Sequence, residues 1–197
     1  MADAALALPA APLPARPRVL LVGTALSAAA AFMAILGLVG IYLAARAEVV
    51  SSGAAWLPAG SNIPLTPANM AMVTMLLSAV SMWWAVDAVA HNDRQMAYLA
   101  LALTMFLGIA VINATSFLYT QMNLAVKTTP GLLIYTITGA HLAMIIVGLV
   151  YAAVMTFRTL GGEYQGRDHE GLTAAALFWY VTIAAQAAIW LAIYVTK

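Results

Sequence analysis

The sequence predicts an all-α integral membrane protein, a bundle of five transmembrane helices. Three observations predict it. Of 197 residues, 64% are hydrophobic and only 8% are charged, where soluble domains carry about 25% charged residues; such a chain has no surface to offer water. Five apolar runs each exceed the roughly 20 residues a helix needs to cross the hydrocarbon core. Inside that core every backbone N–H and C=O must be paired within the protein, which selects helices over strands here. Eight Lys and Arg against seven Asp and Glu leave the chain nearly neutral, which argues against nucleic acid as a partner. The absence of cysteine excludes disulfides, thiolate nucleophiles and sulfur metal ligands together.

Residues 1–18, "MADAALALPAAPLPARPR", read as a short disordered tail and not as a signal peptide. Prolines interrupt the segment, and Arg16 and Arg18 abut an apolar run too long for a signal's hydrophobic region. Residues 19–197 form the transmembrane domain. The first helix is expected over Val19–Ala44 and contains a Gly37-x-x-Gly40 spacing that would let a neighbouring backbone approach. "RAEVVSSGAAWLPAGSNIPLTP" follows as a long external loop, with Trp56 as an interfacial anchor and Thr66-Pro67 as the start of the next helix. The second helix, Pro67–Ala90, places Asp87 roughly 30 Å from its beginning, at the membrane boundary. His91, four residues on, can touch it. The two form an interfacial ion pair or else a proton-uptake or partner-docking point. The short turn "AHNDRQ" makes the second and third helices (Gln95–Tyr119) antiparallel neighbours. The fourth, Gly131–Phe157, carries Gly139, Gly148 and His141. The loop "RTLGGEYQGRDHEGL" combines a glycine stop with Asp168 as a candidate cap for the fifth helix, Leu172–Val195.

Ionisable groups at membrane depth are expensive and functional by default, and here they are few. His141 lies about 11 residues into its helix, close to mid-bilayer. Thr138 precedes it by one turn and Met144 follows by one turn, on the same stripe. A transition-metal site needs two to four converging ligands, yet His91 and His169 belong to loops more than half a membrane away, so no metal is expected. An imidazole hydrogen-bonded to another helix or to a lipid headgroup is expected instead, with proton handling as the alternative. Trp179, Ile183, Gln186 and Trp190 share one face of the fifth helix, with Gln186 as a polar latch to another helix. The chain has no Ser/His/Asp set, paired carboxylates, phosphate-cradling glycine loop or HExxH, so catalysis of its own is not expected.

"YTITGAHLAMIIVGLV" resembles the signature of haem-copper (cytochrome c) oxidase subunit III, through Tyr135, Thr138, Gly139, His141, Gly148 and Leu149. "GLVGIYLAAR", "IPLTPANMAMVTMLLSAVSMWWAVDA" and "HEGLTAAALFWYVTIAAQAAIWLAIYV" are similar to further helices of the short, five-helix bacterial form, with Ser78 at a family serine position. The likeness runs from residue 19 nearly to the end. It departs from the family at ionisable positions. Ala31 and Thr120 stand at or near family glutamates, Met144 at a second histidine, Tyr180 and Ile183 within a Trp-His-x-x-Asp pattern, and Gln186 at a tryptophan.

The resemblance implies a divergent, non-catalytic subunit of an aerobic terminal oxidase, packed on the haem-copper catalytic subunit I and possessing no redox metal of its own. Haem and copper are expected in that partner, and structural phospholipids against this chain. His141, Thr138, Tyr135, Gly139, Trp179 and Gln186 are then lipid-binding or helix-contact residues. Loss of the carboxylates weakens any proton-collecting role. The alternatives are a paralogue serving a nitric oxide reductase or other respiratory complex, a small transporter, and a membrane lipid enzyme using His141 as base. The resemblance to the bacterial form implies the bacterial plasma membrane, and five cations (Arg16, Arg18, Arg94, Arg158, Arg167) against three (Arg46, Lys127, Lys197) predict a cytoplasmic N-terminus and an external C-terminus.

Overall fold

The computed structural model describes residues 18–161 and 169–196. Most of the expected tail, and the expected cap Asp168, lie outside the described residues. Five helices follow in order: α1 (Val19–Ser51), α2 (Leu65–Ala90), α3 (Arg94–Met122), α4 (Thr129–Leu160) and α5 (Glu170–Ile189). The last continues as a π-helical segment, Trp190–Val195. Each is long and apolar enough to cross a membrane. The outer surface is apolar too: Met33, Phe106 and Phe157 are 68%, 69% and 72% exposed. Side chains of this size facing outward on every helix suit lipid and not water, so this is a multi-pass membrane protein.

The helices outrun their expected ends for local reasons. In α1 the run Ala44-Ala45-Arg46-Ala47-Glu48 consists of strong helix formers, so leaving the apolar zone does not end the helix. It stops at Ser51, and Gly53 then takes φ +79°. In α2 the expected Thr66-Pro67 start is displaced. Pro64 precedes the first helical residue, Leu65, because the first N–H groups of a helix have no intrahelical partner and Pro67 costs none there. Asp93 caps α3 by accepting from Met96 N–H at 3.1 Å. Thr128 caps α4 by accepting from Gly131 N–H at 3.2 Å, with Pro130 in the first turn. Residues 52–64 fold back over the bundle. Asn62 N–H donates to Met122 O at 3.1 Å, and Trp56, expected as an interfacial anchor, turns its ring edge-on to Tyr42 at 5.5 Å.

The short turn between α2 and α3 makes them the most extensively packed pair, while α5 touches α1, α2 and α4. Buried alanines at 174, 175, 176, 185 and 192 allow α5 this central place, because small side chains let helix backbones close up where lipid supplies no hydrophobic drive. The core divides lengthwise. One half, nearer the α2–α3 turn, gathers Met82, Leu101, Met155 and Leu172 around Trp179. The other gathers Tyr42, Ile63, Met122, Ile134 and Tyr194.

The fully buried residues of α1 are Ala28, Ile35, Val39 and Tyr42, with Ala31, Phe32 and Leu38 packed beside them. The expected close approach at Gly37 and Gly40 does not occur: a Cβ at either, or at Gly139, would meet nothing within 4 Å. Both α1 glycines lie off the stripe that faces the bundle. The start of α1 is tied to α5, where Glu170 Oε1 accepts from Leu21 N–H at 3.0 Å. At the far end the π-helical step rotates the chain so that three consecutive residues, Ala192, Ile193 and Tyr194, are all buried.

Candidate functional site

The apolar span around His141 contains the densest polar grouping inside the bundle. His141 is buried, and its Nε2 lies 3.0 Å from the Thr182 carbonyl oxygen of α5. A carbonyl only accepts, so Nε2 donates, and in the neutral ring this leaves Nδ1 as an acceptor. One turn earlier, Thr138 receives a hydrogen bond from the Tyr119 hydroxyl of α3 at 2.7 Å and donates to Ile134 O at 2.7 Å. The Tyr119 ring meets Tyr135 edge-on at 5.0 Å, and the Tyr135 hydroxyl donates to Leu124 O at 3.1 Å. These bonds tie α4 to α5, to α3 and to the α3–α4 turn.

Thr138, His141 and Gln186 converge on a cavity of about 10 Å³, shared with Thr115 and Tyr194. That is close to the smallest space that holds one water. Gln186 is buried, but it does not make the expected interhelical latch: among the described residues its amide has no hydrogen-bond partner, and it faces this cavity. Ala68 and Ala71 of α2, which also line the cavity, are too short to reach it.

The latches on this face of α5 are its two tryptophans. Trp179 Nε1 donates to Ser78 Oγ at 3.0 Å, and Ser78 Oγ donates onward to Met75 O at 2.7 Å. Trp190 Nε1 donates to Asn69 Oδ1 at 2.8 Å. Both cross to α2. The Trp179 ring sits between two glycines: a Cβ at Gly108 would lie 2.8 Å from its Cη2, and one at Gly148 2.8 Å from its Cε3. Ser81 and Thr104 add a buried hydroxyl pair at 2.7 Å between α2 and α3. Sequence reasoning missed Asn69, Gly108, Ser81, Thr104 and Tyr119. The signal for the polar members was their rarity inside apolar spans; Gly108 carried none that set it apart from other glycines.

Asp87 and His91 stand apart at the α2–α3 turn, both exposed. His91 Nδ1 lies 2.9 Å from Asp87 O and 3.6 Å from its carboxylate. Among the described residues no three His, Asp or Glu side chains gather as a metal site would require. The positions that resemblance assigned to ionisable groups pack as neutral residues. Ile183 and Met144 are buried, Ala31 packs against the Tyr42 cluster, and Thr120 is exposed with its hydroxyl on Phe117 O at 2.7 Å.

Comparison with known proteins gives a consistent result. The family model for cytochrome c oxidase subunit III matches residues 18–197. Cytochrome c oxidase subunit 3 of Oryctolagus cuniculus is 28% identical over 160 residues, covering 79% of this chain and 59% of that protein. The Struthio camelus protein of the same name is 28% identical over 148 residues, covering 73% and 55%. That of Prototheca wickerhamii is 26% identical over 152 residues, covering 76% and 56%. The chain thus spans somewhat over half the length of the curated relatives it matches.

Proposed function

Because the chain belongs to the cytochrome c oxidase subunit III family, we propose that it is a non-catalytic subunit of an aerobic respiratory terminal oxidase, packed beside the haem-copper subunit I. The observation that carries this reading is the family match itself, which runs from the start of α1 to the end of the chain. Haem and copper reside in the partner, and electron transfer and oxygen chemistry with them. This chain supplies a rigid five-helix wall and a lipid-facing surface in a bacterial plasma membrane, with a cytoplasmic N-terminus and an external C-terminus.

Within that role, burial supports helix contact over lipid binding for the residues around His141. Thr138, His141, Trp179 and Gln186 are all buried inside the bundle, where acyl chains do not reach. Phospholipids would lie instead along the exposed apolar faces. The neutral side chains at positions 31, 120 and 183 support a weakened proton-collecting role. Asp87 and His91, exposed at one end of the bundle, are the pair available for partner docking or proton uptake.

The test is purification of the tagged chain in mild detergent from its native membranes. A larger complex with a haem a absorbance band is expected. Recovery of the chain alone, monodisperse and colourless, would overturn the proposal. A complex carrying other haems without haem a would move the chain to a related reductase.

A further inference from the structure

Four polar side chains line a groove on the outer face of the bundle with no hydrogen-bond partner among the described residues. The groove, about 550 Å³, runs between the first half of α2 and the second half of α3. Thr66 and Thr74 project from α2, Asn113 and Gln121 from α3. Neighbouring polar groups do find partners. Thr115 and Ser116 bond back to their own helix, and Asn69 is taken by Trp190.

Depth makes the four significant. At 1.5 Å per residue Thr74 lies about 13.5 Å from the start of α2, and Asn113 the same distance from the end of α3. With a hydrocarbon core about 30 Å thick centred on each helix, Thr74 sits roughly 9 Å and Asn113 roughly 7 Å inside it. Thr66 and Gln121 lie roughly 3 and 5 Å outside it, at headgroup depth. A lipid headgroup could satisfy the outer pair but would have to leave the interface to reach the inner pair, and acyl chains offer no hydrogen bond. An amide left bare in hydrocarbon is costly. Ala110 and Ala114, one turn apart on the groove wall, allow a helix backbone to come close. Small residues with Asn, Gln or Thr beside them are the elements that associate helices in membranes.

We infer that this groove receives a transmembrane helix of another subunit, one that presents Ser, Thr, Asn or Gln among small residues to Thr74 and Asn113. The inference rests on the reading that the chain works inside a larger membrane complex, and it names the face used.

The cysteine-free chain lends itself to the test. Met70→Cys and Ala110→Cys place thiols in the groove and leave its polar side chains intact; Val150→Cys, on a 59% exposed face of α4, is the control. Each carries a thiol-linked photocrosslinker in native membranes, and crosslinked peptides are identified by mass spectrometry. Both groove positions should capture one membrane-spanning peptide of a co-purifying subunit, with polar and small side chains at the captured site, while Val150→Cys captures lipid. Capture of lipid alone from the groove, or of a second copy of this chain, would overturn the inference. Asn113→Leu with Thr74→Val should speed loss of the captured subunit about three- to tenfold in detergent, from the usual strength of such bonds, without lowering the isolated chain's thermal midpoint. Unchanged retention would also overturn it. A spanning helix captured where no haem complex co-purifies would sink the oxidase reading and leave this one standing; a haem complex with a lipid-filled groove would do the reverse.

Discussion

Replacing Gly148 with alanine should destabilise the bundle by driving a methyl group into the Trp179 ring. The added Cβ would lie 2.8 Å from Cε3 and 3.0 Å from Cζ3, well inside the 3.5–4.0 Å at which carbon atoms attract. The ring has little room to swing away: Gly108 is close against its Cη2 and Cζ2, and its Nε1 is held by Ser78. Overpacking of this kind costs about 1–3 kcal/mol. Alanine is itself better than glycine in a helix by about 1 kcal/mol, so the net loss falls between about 0 and 2 kcal/mol, and the tight 2.8 Å approach places it toward the upper end. The control is Gly139→Ala on the same helix, where nothing lies within 4 Å of the new methyl and stability should hold or rise. Reversible unfolding in mixed micelles, titrated with a denaturing detergent, measures both. Trp179→Leu in the Gly148→Ala background should recover part of the loss, giving a coupling of more than about 0.5 kcal/mol. If Gly148→Ala proved as harmless as Gly139→Ala, or the two changes at 148 and 179 simply added, the seat described for the indole would be wrong.

Other substitutions probe the remaining ties. Trp190→Phe and Asn69→Leu should each cost about 0.6 kcal/mol, the usual worth of an interhelical hydrogen bond in a membrane, and the double variant should cost no more than the sum less that bond. Gln186→Leu should raise the thermal midpoint in detergent, since it removes a buried amide without a partner, worth about 1 kcal/mol; a fall would mean that the amide is satisfied. Glu170→Ala frees the Leu21 N–H that the carboxylate caps and should weaken the start of α1 by about 0.5–2 kcal/mol, read as faster hydrogen exchange confined to its first turn.

The number, order and approximate limits of the helices were legible because hydrocarbon allows few structures, and twenty apolar residues in a row announce one of them. Which face of each helix turns inward was much harder to read. In a soluble helix polarity marks the outer side, but here Ile35 inside and Met33 outside are equally greasy, so Gly37 and Gly40 were indistinguishable from glycines at a real contact. The tie from His141 to another helix could be anticipated because an imidazole at that depth must find a partner. The failure at Gln186 has the opposite cause: a lone amide reads as a latch, yet whether it reaches an acceptor depends on the length of the alanines facing it. The π-helical end of α5, Trp190–Val195, left no trace in composition.

In chain order α5, around which α1, α2 and α4 are arranged, is the last of the five to leave the ribosome. Until it enters the membrane, Asn69 and His141 lack the groups they bond in the finished structure, and Ser78 Oγ, which donates within α2, lacks the indole N–H it accepts. The centre of the bundle is therefore complete only once α5 has joined the helices made before it.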